Sequence, residues 1–138
     1  MSLRALVFGL SLVVLGGWGC GGDDDGPEAD RLGIGAQCVN STECLAGEGD
    51  APGQECLTQF KGGYCGLSGC TGDVDCPDLS ACVTHDDDGL NYCFRVCLDK
   101  PECNANRDLE NEANCSGSAT FVDGTLGRKA CIPPSSGV

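Results

Sequence analysis

The chemistry available to this chain rests with its cysteines, thirteen among 138 residues. Cys20 stands alone. The other twelve fall into three groups: Cys38-x5-Cys44-x11-Cys56-x8-Cys65, Cys70-x5-Cys76-x5-Cys82-x10-Cys93 and Cys97-x5-Cys103-x11-Cys115-x15-Cys131. Thiols at this density pair as disulfides, hold a soft metal or act as nucleophiles. Each group opens with C-x5-C, and the residue before its second cysteine is acidic: Glu43, Asp75 and Glu102. An identical gap with an acid at one offset, three times over, marks tandem copies of one module. We place them at residues 37–68, 69–95 and 96–134.

Other constellations fit their chemistry less well. Cys65-x4-Cys70 and Cys93-x3-Cys97 can be drawn as zinc-ligand pairs, but thiolates in an oxidising compartment become disulfides. Around residues 86–89 an EF-hand register matches Asp86, Asp88 and Gly89. It also puts Thr84 at the first ligand and Arg95 where a bidentate Glu belongs, so the motif fails. Asp73 and Asp75, with Asp78 nearby, offer a looser oxygen cluster that reads as a solvated acidic turn. His85 is the only histidine, and no Ser or Cys motif gives it a nucleophile to serve. No catalytic residue, cofactor or metal is therefore expected. The sequons at Asn40 and Asn114 would matter only in a eukaryotic secretory pathway.

The first nineteen residues supply the oxidising compartment. One basic residue, Arg4, precedes an apolar run over residues 5–15, and a small-residue region follows at 16–19. That is the layout of an export signal, with an apolar run too short to span a bilayer. Residues 20–36 come next, opening on "CGGDDDGPEAD", with no large apolar side chain in that opening stretch. Like charges extend such a segment, and it reads as a flexible acidic tether.

Beyond residue 19, Leu, Ile, Val and Phe together number only twenty in 119 residues. So small an apolar content cannot offset the entropy of ordering the chain, about 1–2 kcal/mol per residue. Covalent stapling must take its place, and a loop of about fifteen residues closed by a disulfide contributes roughly 3 kcal/mol. The expected fold is small and disulfide-rich with little regular secondary structure, preceded by a signal helix and the tether. Hairpin signals occur in the second half of each module. They flank Gly62-Gly63, residues 86–89 and Asp123-Gly124, the last continuing through Thr125-Leu126 towards Cys131. One or two helical turns are expected within residues 107–114. Four cysteines per module allow three pairings, and spacing does not choose among them. We favour first-to-third with second-to-fourth, because interlocked bridges restrain a small loop better than nested ones.

With twelve cysteines paired, Cys20 is left over at the predicted cleavage point. Here the chain resembles bacterial lipoproteins, in which a Gly/Ala-Cys lipobox is acylated on its cysteine; it departs from them in carrying Gly17 where they usually have Leu. The whole layout, a lipobox-like start and acidic tether before C-x5-C modules, is similar to cysteine-rich envelope lipoproteins of myxobacterial type. The Gly-Tyr-Cys at 63–65 and the cysteine spacing are weakly similar to the Dickkopf N-terminal cysteine-rich units. The resemblance implies lipid on Cys20 and attachment to the outer membrane; a surface-anchored structural or binding module of this kind would meet an envelope or protein partner through rigid disulfide loops such as residues 46–54. A secreted effector or inhibitor with Cys20 unlipidated, binding calcium weakly through the Asp73, Asp75 and Asp78 cluster, is the alternative. The formal net charge of −13 excludes nucleic acid as a partner. Oligomeric state is left open.

Overall fold

The computed structural model describes residues 33–44 and 53–136. The export segment, Cys20 and the tether through residue 32 lie outside the described residues, as does most of the loop 46–54.

Each C-x5-C segment closes into one short helical turn. Two are 3₁₀ turns, Ser41–Glu43 and Asp73–Asp75, and the third is the helix α1, Lys100–Cys103. The recurrent acid explains itself here. Glu43 accepts from the Val39 N–H at 2.8 Å, Asp75 from the Thr71 N–H at 2.7 Å and Glu102 from the Leu98 N–H at 2.8 Å. In each case the carboxylate reaches back to the residue just after the first cysteine. Asn40 and Asp99 cap their turns reciprocally, accepting from Thr42 N–H and Glu102 N–H. This is capping-box chemistry, in which an acid on the third helical position ties off an orphan backbone donor.

Seven strands follow: β1 (Glu55–Cys56), β2 (Cys65–Gly66), β3 (Ser80–Thr84), β4 (Asn91–Cys97), β5 (Asn114–Ser116), β6 (Thr120–Phe121) and β7 (Lys129–Ile132). In every module the third and fourth cysteines face each other across an antiparallel pair: Cys56 opposite Cys65, Cys82 opposite Cys93, Cys115 opposite Cys131. They do not bond to each other. The bridges are Cys38–Cys56, Cys44–Cys65, Cys70–Cys82, Cys76–Cys93, Cys97–Cys115 and Cys103–Cys131. First joins third and second joins fourth throughout, so two disulfides lie side by side and clamp the capped turn onto the hairpin. Three of the four sulfurs in each module lie within 4.8 Å of one another, which is the packing of two neighbouring bridges.

β1 and β2 form a two-stranded sheet, and the rest form a five-stranded sheet in the order β5-β7-β4-β3-β6. The third hairpin differs from expectation. Its paired strands are β5 and β7, whereas β6, expected to fold back across Asp123-Gly124, pairs with β3 of the second module. A second cross-module ladder joins β4 to β7 at Val96–Ala130 and Cys97–Lys129. Residues 117–119 connect β5 to β6, the two outer edges of this sheet. Four residue steps from Ser116 to Thr120 span at most ~14 Å, so the sheet must roll until its edges approach. The helical turn expected within 107–114 is a short 3₁₀ turn, Leu109–Asn111.

The modules share one core. Ile34, Leu57, Phe60 and Tyr64 from the N-terminal part pack with Val83, Tyr92 and Phe94 and with Ala119, Phe121 and Ala130. The boundary of the tether shifts as a result: residues 33–36, assigned to it from sequence, belong to the folded part. Ile34 is 3 % exposed, and Gly35 N–H donates to Cys65 O at 2.9 Å. Phe60 sits at the centre of an edge-on aromatic cluster, 5.9 Å from Tyr64, 5.2 Å from Tyr92 and 5.4 Å from Phe94. Such pairs contribute about 0.5–1.5 kcal/mol each beyond the area they bury. The Tyr64 hydroxyl accepts from Arg95 N–H at 3.0 Å, and burial pushes its pKa up. Gly63 is required by this packing. Its φ is +69°, and a Cβ there would stand 2.0 Å from the Cys38 carbonyl oxygen.

Arg107 ties the third module to the first. Its guanidinium donates to the carbonyls of Gly35 at 3.1 Å, Gly63 at 2.9 Å and Lys61 at 2.7 Å, and its Nε to Asn111 O at 2.8 Å. Five donors on a rigid planar fork suit this convergence in a way a lysine ammonium does not. Arg107→Ala, and nearly as much Arg107→Lys, should lower stability by about 2–4 kcal/mol, because each leaves part-buried carbonyls without a donor. Urea unfolding of the oxidised variants measures this, and an unshifted midpoint would contradict it. Excess reductant should collapse the circular-dichroism spectrum of the protein, since the bridges stand in for a large core; an unchanged spectrum would refute that.

Candidate functional site

The β3–β4 turn is built from residues that prefer turns. Gly89 takes φ +70°, its N–H donates to His85 O at 2.8 Å, and His85 N–H closes the turn onto Leu90 O at 2.8 Å. Asp88 accepts from Leu90 N–H at 2.9 Å and from the Tyr92 hydroxyl at 2.8 Å. Burial works against its charge, but these bonds and the neighbouring His85 outweigh it and hold the carboxyl below its ordinary 3.8. For Tyr92, burial and the Asp88 carboxylate push the hydroxyl upward. His85 is not a loose turn residue. It is 7 % exposed and stands edge-on to Phe60 with centroids 5.0 Å apart.

On the far side of the rolled sheet, β7 ends at Pro133-Pro134. Proline has no N–H to give a ladder; the pairing of β7 with β4 stops at Ala130, and its pairing with β5 runs to Ile132, just before the prolines. The tail pairs with the first module instead: Lys61 N–H donates to Pro134 O at 2.8 Å, and Ser135 bridges Phe60. Between this tail, the β3–β4 turn and the 117–119 link lies a cleft of about 290 Å³. Its lining includes His85, Asp86 and Asp87 of the β3–β4 turn, Asn114 and Ser116 of β5, Ser118, and Ile132 with Pro133. Asp87 accepts from Ser135 Oγ, and Asp86 from Thr120 Oγ1 at 3.4 Å. His85 Nδ1 stands 3.2 Å from Asp88 Oδ1, and its Nε2 stands 3.8 Å from Asp87 Oδ2.

The acidic cluster considered for calcium is already engaged by the protein itself. Asp73 Oδ2 pairs with Arg128 at 2.6 Å, and its Oδ1 accepts from Cys82 N–H at 3.0 Å. Asp75 takes the N–H and the hydroxyl of Thr71, both at 2.7 Å. The cysteines drawn as zinc pairs, Cys65 with Cys70 and Cys93 with Cys97, are spent on four different disulfides. Asn40, a sequon residue, uses its side-chain amide to cap the first turn and to reach Glu43 at 3.0 Å. Of the loop 46–54 only Gly53 and Gln54 are described.

Sequence reasoning isolated His85 and its aspartates but not their partners across the cleft. Pro133-Pro134 was a legible signal that a ladder must stop there. Ser116 and Ser118 carry no such signal, because only the roll of the sheet brings them opposite His85. No family model, curated protein or solved structure matches the chain. Its own geometry defines it as a small disulfide-rich protein of short antiparallel strands with few helices.

The depressed carboxyl of Asp88 sets a pH test. A group whose native pKa is lowered contributes stability above its unfolded value, and loses it as pH falls through the native one. The difference in melting temperature between the protein and Asp88→Asn should be constant above about pH 5 and shrink only below 3.8. A difference that already vanishes near neutral pH would contradict the assignment.

Proposed function

We propose that this protein is an exported, lipid-anchored component of a cell envelope, held at the outer membrane through acylated Cys20, with a structural or protein-binding role and no catalysis. The observation that carries the reading is parity. All twelve cysteines of the modules are consumed in six bridges, which leaves Cys20 as the one thiol of thirteen without a partner in them. An exposed free thiol in an oxidising compartment invites oxidation or intermolecular pairing, and acylation removes it. Two or more acyl chains hold a protein stably where one is marginal. The acidic tether then keeps the folded part away from an anionic bilayer surface.

Mass spectrometry of the native N-terminal peptide tests this directly. A diacylglyceryl mass on Cys20 is the expected result. Cys20→Ala should move the protein from the membrane fraction to the soluble fraction with its six bridges intact. An unmodified Cys20, or one in an intermolecular disulfide, would replace this reading with that of a secreted effector or inhibitor.

A further inference from the structure

Most of the large apolar side chains left exposed stand at one end of the five-stranded sheet, and the ladders put them there. β3 begins just after Leu79, β4 ends just before Leu98, β6 ends just before Val122, and β7 begins just after the turn that holds Leu126. Ser80 lies opposite Arg95, Cys97 opposite Lys129 and Val83 opposite Phe121, so in these antiparallel pairs all four strand ends fall on the same side. Val74 joins them, because the Asp73 N–H beside it donates to Asp123 at 2.7 Å. Five of the eight exposed large apolar residues among those described are gathered at this end. We propose that it docks a partner protein whose surface carries apolar residues within a rim of lysine and arginine. The proposal deepens the protein-binding reading and rests on it.

Backbone geometry singles out two of the five. Leu79 has φ +63° and Leu126 φ +46°, and they are the only non-glycine residues at positive φ among those described. The leucine Cβ is crowded there, a cost that glycine escapes and asparagine largely avoids. Burial does not recover it, since Leu79 is 51 % exposed and Leu126 87 %. The chain thus holds two leucines out into solvent at a cost to its own stability. Strain kept at an exposed apolar tip is recovered where that tip meets a partner.

Charge decides the occupant. Val74 lies between Asp73 and Asp75, Leu79 follows Asp78, Leu98 precedes Asp99 and Val122 precedes Asp123. Asp75, Asp99 and Asp123 accept from the N–H groups of Thr71, Glu102 and Asp73, which orient the carboxylates and leave their charge standing. Arg128 is spent on Asp73 and on the Phe121 ring, and Lys129 reaches Leu98 O at 3.4 Å. An apolar centre inside a charged rim is the anatomy of a protein interface. A lipid surface would have to desolvate the carboxylates that flank four of the five apolar residues, and a second copy of this end would bring the same sign of charge. A partner edged by lysine and arginine meets attraction at the rim and apolar contact at the centre.

The test is fluorescence anisotropy on the full oxidised protein with short labelled amphipathic helical peptides. One has a leucine face edged by lysines, one the same face edged by glutamates, and one a serine face edged by lysines. The first should bind, and the other two should bind at least about tenfold more weakly. Leu79→Asn and Leu126→Asn should each weaken the first about fivefold while leaving the urea midpoint unchanged or higher, because asparagine tolerates positive φ. Leu109→Ala, at an exposed apolar residue on the Leu109–Asn111 turn, should leave binding unchanged. A lowered midpoint in both asparagine variants would make the two leucines structural and overturn the site. Serine-faced binding as strong as leucine-faced, an equal loss at Leu109, or no peptide binding would overturn it too. Cys20→Ala protein that floats with phosphatidylcholine vesicles, and stops doing so with Leu126→Asn, would overturn the protein partner in favour of a lipid surface. Leucine-faced binding that survives both asparagine substitutions would overturn this surface and leave protein binding elsewhere on the molecule standing. An unlipidated Cys20 defeats the anchoring reading and leaves all these outcomes unchanged, so the failures are distinguishable.

Discussion

Two disulfides laid side by side across the start of a hairpin are the constraint on which the rest of this structure depends. In each module the third and fourth cysteines face each other across a strand pair. Each reaches instead to a cysteine flanking the preceding capped turn. The bridges therefore pin a local element, the turn, onto a local element, the hairpin, and need only 12 to 28 residues of separation to do so. Chain entropy is restrained in the unfolded state, and the strands can stay as short as two residues. An isolated two-stranded hairpin of that size would not hold in water.

Clamped units could in principle sit as beads on a string, and these do not. The hairpin of each module carries too few apolar groups to bury anything alone, so the aromatic residues are pooled. Phe60 and Tyr64 come from the first module, and Tyr92, Phe94 and His85 from the second. The third module contributes strands to both sides of the second module's hairpin, β6 on β3 and β7 on β4. Arg107 and the proline-ended tail then return to the first module. The last module is in this sense a strap around the other two. Arg128 completes it, stacked 4.7 Å over Phe121 and paired with Asp73.

The cleft is a by-product of the same geometry. A sheet whose two edge strands are joined by three residues must roll, and the proline-led tail that leaves β7 for the first module bounds an opening beside it. His85 is fixed in that opening by the aromatic cluster behind it and by the tight turn in front, and the turn is stabilised by Asp88. The rigidity of the core is thereby passed to the cleft wall.

Cysteine spacing with an acid at a fixed offset marked the repeated C-x5-C turns, and glycine turns between β-formers marked the first two hairpins, because each is a local pattern. Even the repeated acid had a local cause, a backbone donor a few residues upstream. Interlocked pairing was favoured on physical grounds, and the opposition of cysteines across each hairpin explains why geometry permits it. What only the tertiary structure decided is everything between modules. The Asp123-Gly124 signal is a genuine turn, with Gly124 at φ +87°, yet β6 found its partner in β3. A strand of two residues is chosen by whichever edge is free and apolar beside it. Ile34 looked like part of a tether because one apolar residue among glycines gives no periodicity, and a pocket elsewhere in the fold buried it. Arg107 carried no motif, since its partners are backbone carbonyls, and any residue can supply those once the chain has brought them together.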